Sequence, residues 1–158
     1  MKINFLFPGK TKEKFYALGI DNYLKRLSHM VDAREVILKS ALPKGRGEAA
    51  EAQARALESS YILDRCDGGD YVVACDIQSR GLSSDELAGR FESLRQSGVK
   101  VVNMVVGGPW GLDGSVLNRA DLRISFSPMT FPHELARLIL MEQVYRAFTI
   151  LNHIPYHK

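Results

Sequence analysis

Cysteine is scarce in this chain of 158 residues, and its scarcity excludes two ways of holding a small protein together. Cys66 and Cys75 do not form a C-x-x-C pair, and both fall in or beside apolar segments, so neither a disulfide framework nor a zinc site is expected. His153 and His157 have the i, i+4 spacing of helical metal ligands, but Pro155 lies between them and no carboxylate completes a set. No metal is expected. No apolar run approaches a membrane span, and the apolar part of MKINFLFPGK is too short for a secretion signal, so a soluble, cytoplasmic protein is expected. Nor does one sign of charge dominate. Lys and Arg number 21 against 18 Asp and Glu, a net +3 that permits contact with phosphates but falls short of a nucleic-acid coat. The glycine signatures of common nucleotide folds are missing too. The first strand-like run leads into PGKTK, which is neither G-x-G-x-x-G nor G-x-x-x-x-G-K-[ST], so ordinary NAD and ATP sites are not expected.

What is present is the balance of one globular domain, 1–158, with 46% hydrophobic and 25% charged residues. KINFLF, REVILK, YVVACD, VKVVNMVVGG and LRISF read as strands. Between them, TKEKFYALGIDNYLKRLSHM reads as an amphipathic helix with Phe15, Leu18, Tyr23 and Leu27 available to one side. The Ala-rich EAAEAQARALESSYILDRC favours helix, and LSSDELAGRFESLRQSG carries an N-cap signal at Ser83 or Ser84 with Glu86, then a stop at Gly98. GPWGLDGSVLNRA reads as a loop with a short helix, and PHEL opens the last helix. Alternating strands and helices, with strands apolar on both faces, predict an α/β fold: a parallel sheet with helices on both faces. The last helix is apolar almost all round, through Leu135, Leu138, Ile139, Met141, Val144, Tyr145, Phe148 and Leu151, which predicts a core on one side and a second copy of the chain on the other.

In such sheets ligands bind beyond the carboxyl ends of the strands. Three loops there stand out: CDIQSRG, GGPWGLDG and SPMTFPHE. Gly107 and Gly108 allow a close approach to a ligand or a positive φ, and Pro109 fixes the turn. Pro128 and Pro132 set a rigid, non-helical path into the last helix.

These residues carry a resemblance. The VGGPxG loop at Val106 to Gly111, S-x-M-T-F-P-H at Ser127 to His133, E-Q-V-Y-R-A-F at Glu142 to Phe148 and the P-Y-H-K run together resemble the RlmH (YbeA) family of SPOUT, or α/β-knot, methyltransferases. The resemblance spans the whole chain. It implies a C-terminal trefoil knot, a homodimer, and methylation of N3 of a pseudouridine in 23S ribosomal RNA, on the large subunit or the whole ribosome. S-adenosylmethionine (SAM) would lie among the three loops, against Cys75, Asp76, Gly107, Gly108, Ser127, Pro128, Met129, Thr130, Phe131 and Pro132. His133, whose intrinsic pKa suits a general base near neutrality, Tyr156 and His157 become candidate catalytic residues. Lys10, Lys12, Arg46, Arg137 and Lys158 become candidate RNA contacts, with Lys39 and Lys44 nearby in sequence. Two departures are visible. Trp110 stands where relatives often carry an acidic or polar residue, and CDIQSRG replaces a common L-D-x-x-G-K. Alternatives are another SPOUT-type tRNA or rRNA methyltransferase, or a non-catalytic RNA-binding module of the same fold.

Overall fold

The computed structural model describes residues 1–157. Among them, five strands form one parallel sheet in the order β2-β1-β4-β3-β5. The strands are β1 (Lys2–Pro8), β2 (Asp32–Leu38), β3 (Tyr71–Cys75), β4 (Val101–Val106) and β5 (Leu122–Ile124), and the helices that alternate with them are α1 (Lys14–Leu27), α2 (Glu48–Leu63), α3 (Ser84–Gln96), α4 (Gly114–Arg119) and α5 (His133–Leu151).

Alternation of side chains across the strands splits the core into two layers. Ile3, Phe5, Phe7, Val73, Val102 and Met104 face α1, α3 and α5, whereas Leu6, Val72 and Val105 face Ile62 of α2 and Val116 of α4. Helices therefore cover both faces, as the two-sided apolar strands require. A polar chain crosses the sheet: Arg34 donates to Asn4 at 2.8 Å, Asn4 to Asn103 at 2.8 Å, and Asn103 to Asp70 at 2.8 Å. Asn4 and Asn103 are buried side chains held in pairing register. Asn103 accepts from the Asn4 amide, while the Asn4 oxygen takes Arg34 and the Asn103 amide goes to Asp70, so a slipped register would leave polar groups unpaired.

The helix signals resolve well. Ser83 and Glu86 form a reciprocal capping box, and Gly98 follows the helix at φ +77°. The stripe assigned to α1 needs correction, because Phe15 and Leu18 are 62% and 69% exposed. The face that packs carries Ile20, Tyr23, Leu24 and Leu27, and Gly19 lets Leu138 of α5 approach closer than a Cβ would allow. On α5, Met141, Val144, Tyr145 and Phe148 are buried, while Leu135, Leu138, Ile139 and Leu151 are half-buried.

Around β5 the chain is stitched to the loop that follows β3. Asp76 N donates to Ile124 O at 2.9 Å, Ser125 N to Arg80 O at 3.1 Å, and Gly81 bridges Ser125. This arrangement is consistent with the knot that the resemblance implies.

Candidate active site

Three segments leave β3, β4 and β5 at the carboxyl end of the sheet and close on one cleft of about 190 Å³. The first contributes Cys75, Asp76 and Ile77, the second Val106 to Gly108 with Gly111 and Leu112, and the third Ile124 to Ser127, Met129 to Phe131, His133 and Ala136. Of the ten residues expected around SAM, eight line the cleft; Pro128 and Pro132 shape the path instead. Ile77, Leu112, Phe126 and Ala136 were not anticipated.

Each loop is held by its own chemistry. Asp76 accepts from the Ser79 hydroxyl at 3.0 Å, while Arg80 turns away to Glu86 at 2.7 Å. Burial pushes the Cys75 thiol up, so it is an unionised wall of the cleft. In the third loop, Ser125 donates to Ser127 O and Met129 N donates to Ser127 Oγ, both at 3.0 Å. That local bonding bends the chain before Pro132, the N-cap of α5, which offers its helix no side-chain cap.

The glycine loop is built for an unexpected reason. Neither Gly107 nor Gly108 takes a positive φ; Gly111 does, at +77°. A Cβ on Gly107 would lie 2.6 Å from the Gly111 carbonyl, and one on Gly108 would strike the carboxylate of Glu58. The turn, closed by Gly111 N donating to Gly108 O at 3.0 Å, therefore needs these glycines to fold before any ligand arrives. Trp110 is half-buried in this turn and does not line the cleft.

His133 sits in the first turn of α5 with its side chain partly exposed. Burial first, then Arg137 and Lys12, hold its imidazole below the ordinary 6.5, with Glu134 pulling the other way. A neutral ring able to accept a proton follows. The next residue anchors the neighbouring loop: Glu134 accepts from the amides of Lys12 and Glu13, both at 3.0 Å, at the mouth of α1, which has no side-chain cap of its own.

Arg137 corrects an expectation. Instead of lying on an RNA-binding rim it is fully buried, donating to Pro8 O, to Gly9 O at 3.0 Å and to Thr11 Oγ1 at 3.2 Å, with Phe7 5.1 Å from its guanidinium. It ties the β1–α1 connection to α5. Lys10, Lys12 and Arg46 are exposed, and all follow strand ends on the side of the sheet that carries the cleft. Lys158 lies outside the described residues.

Tyr156 and His157 do not join His133. Tyr156 donates to Glu142 at 3.0 Å, packs edge-on against Tyr145 at 4.9 Å and lies under Arg146 at 4.7 Å, while His157 faces Arg146 and Asp85. Burial, with bonds to Tyr23 and Glu142, pushes the Tyr156 phenol up, so it stays protonated. Nineteen residues of α5 separate the two ends, about 28 Å along the axis.

Residues 1–157 match a family model described as "Predicted SPOUT methyltransferase". The chain belongs to the SPOUT methyltransferase family. SPOUT relatives with the name "Ribosomal RNA large subunit methyltransferase H" include those from Alkaliphilus oremlandii (strain OhILAs), 42% identical over 159 residues, and Bifidobacterium animalis subsp. lactis (strain AD011), 43% identical over 160 residues. Each alignment covers 100% of both chains. In fold, the protein is similar to a probable methyltransferase from Bordetella pertussis Tohama I, with a TM-score of 0.53, 16% identity, and coverage of 93% of this chain and 96% of that one. It is also similar to a probable methylase family protein from Haemophilus influenzae Rd KW20, with a TM-score of 0.55, 15% identity, and coverage of 99% and 70%. Membership of a methyltransferase family implies a methyl donor.

Proposed function

We propose that the protein transfers a methyl group from SAM to N3 of a pseudouridine in 23S ribosomal RNA, acting in the cytoplasm as a homodimer. The meeting of the three loops in one cleft with His133 at its end carries this reading. Apolar walls from Ile77, Val106, Leu112, Phe126 and Phe131, beside Cys75, Gly107, Ser127, Met129 and Thr130, suit a flat base and a ribose. SAM supplies an already activated methyl on a sulfonium sulfur.

The chain's own residues then have modest tasks: to hold donor and acceptor in line, to exclude water, and to take the N3 proton. His133, kept neutral, accepts that proton as the N–C bond forms and the S–C bond breaks. Lys10, Lys12 and Arg46, with Lys39 and Lys44, meet the RNA backbone on the same side. Because α5 holds His133 and Tyr156 at opposite ends, the tail completes a site only across two chains, and the groove beside α5 lined by Leu82, Leu87, Phe126 and Ile139 gives a second copy an apolar seat.

Two measurements test the reading. Calorimetry should show SAM binding, and mass spectrometry of rRNA nucleosides from a deletion strain should show loss of one N3-methylated pseudouridine. An unchanged nucleoside profile would refute the substrate assignment. Light scattering should give twice the 17.7 kDa chain mass.

A further inference from the structure

Below the glycine floor of the cleft lies a carboxylate with no evident structural need for its charge. Glu58 is 1% exposed and sits on the inward row Ala50, Ala54, Glu58, Ile62 of α2, each residue one turn from the next. One oxygen, Oε1, accepts from Ala41 N at 3.0 Å; the other, Oε2, is buried without a hydrogen-bond partner. That unpartnered oxygen is the atom a Cβ on Gly108 would strike first. Ala41 opens the loop that carries Lys44 and Arg46 toward α2. A buried, half-satisfied acid is unfavourable in itself, so a leucine would serve a purely structural post better.

We infer that Glu58 is a positioning residue of the methyl-donor site: a single buried side chain joins the cleft floor at Gly108 to the cation-bearing loop at Ala41, so that donor and RNA contacts are set together. Burial also raises its pKa, against the Ala41 amide and Arg137. Gly108 is then glycine because of Glu58, not because of the donor. The inference rests on the reading of the cleft as the SAM site.

A double-mutant cycle tests it. Gly108→Ala should weaken SAM binding by about tenfold or more in the native background but by less than about threefold once Glu58→Ala has removed the opposing carboxylate. Equal losses in both backgrounds would overturn the inference. Glu58→Ala should raise KM for ribosomes more than it lowers kcat, and Glu58→Gln, which keeps the acceptor for Ala41 N and the side-chain volume, should restore KM. A glutamine variant as impaired as the alanine one would also overturn it. If the alanine variant does not fold, hydrogen exchange on the native protein decides. SAM should slow exchange of the Ala41 amide, although Ala41 does not line the cleft, and an unchanged rate would refute the coupling. Failure of the native protein to bind SAM would instead refute the functional reading.

Discussion

Replacing Arg137 with methionine should destabilise the protein without touching its electrostatic affinity for RNA. The substitution keeps most of the side-chain volume but removes the donors to Pro8 O, Gly9 O and Thr11 Oγ1. Thr11 is partly exposed and can turn to water, whereas Pro8 is buried and Gly9 half-buried. Two carbonyls left without donors cost about 1–3 kcal/mol each, and relief from burying a guanidinium offsets part of that, leaving about 3 kcal/mol. For a chain of this size each kcal/mol lowers Tm by about 2–4 °C, so a fall of roughly 6–12 °C is expected. Urea denaturation gives the free energy directly. Ribosomal RNA binding measured against salt gives the second readout: loss of a phosphate contact would reduce the log–log slope by about one, and Arg137→Met should leave it unchanged. A variant that melts like the native protein but loses a unit of slope would refute the burial argument.

His133→Asn should lower kcat by about 10²–10⁴ while SAM affinity stays within a few fold. Because the folded imidazole titrates below 6.5, the acid limb of kcat should lie below that pH. The same shift means the unfolded chain takes up a proton first as pH falls through 6.5, so this histidine lowers stability there and the loss levels off below the folded pKa; a titration midpoint above 6.5 would contradict both. Glu134 is the opposite case: burial favours its neutral form, but the amides of Lys12 and Glu13 prevail and hold its carboxyl below 4.5. Its contribution is present above pH 4.5 and is lost as pH falls through the folded value, and Glu134→Gln should cost about 1–2 kcal/mol in urea at neutral pH, with a wild-type midpoint counting against the cap. Removing Tyr156 to Lys158 should leave SAM affinity within a few fold and abolish methylation of pseudouridine-containing ribosomes, with full activity returning the tail to a solubilising role. Mixing truncated chains with His133→Asn chains should restore part of the activity, and no recovery would argue against a shared site.

Much of this was legible in the chain. YVVAC and VVNMVV, apolar throughout except at Asn103, read as strands covered on both sides, and Ser83 with Glu86 marks a helix start. The three loops were legible because each ends such a strand. Arg137 was misplaced because a long cation reads as surface by default, and only the main-chain carbonyls that β1 brings to it, 128 and 129 residues away, reveal its use. Phe15 and Leu18 misled because helical spacing offers more than one stripe, and Gly19 fixes which one faces α5. Glu58 did leave a signal, an acid on the four-residue row of Ala50, Ala54 and Ile62, though the row alone does not say what lies above it. The separation of His133 from Tyr156 follows from the length of α5, but the tail's bond to Glu142 and its packing on Tyr145 become visible only in the structure.

Strand order also governs how this molecule comes into being. β4 lies between β1 and β3, so the middle of the sheet joins partners one of which, Asn4, is 99 residues distant from Asn103. During synthesis the earlier strands must wait with open edges until Val106 has emerged, and closing so long a stretch of chain is entropically slow. The Asn4–Asn103 bond then acts as a gatekeeper of insertion, rejecting any neighbour that arrives out of step. Replacing Asn103 with valine would leave the buried Asn4 amide without its acceptor, at a cost of about 1–3 kcal/mol, and would also be felt in the refolding rate and in the yield recovered from dilution out of urea, by way of trapped or aggregated chains.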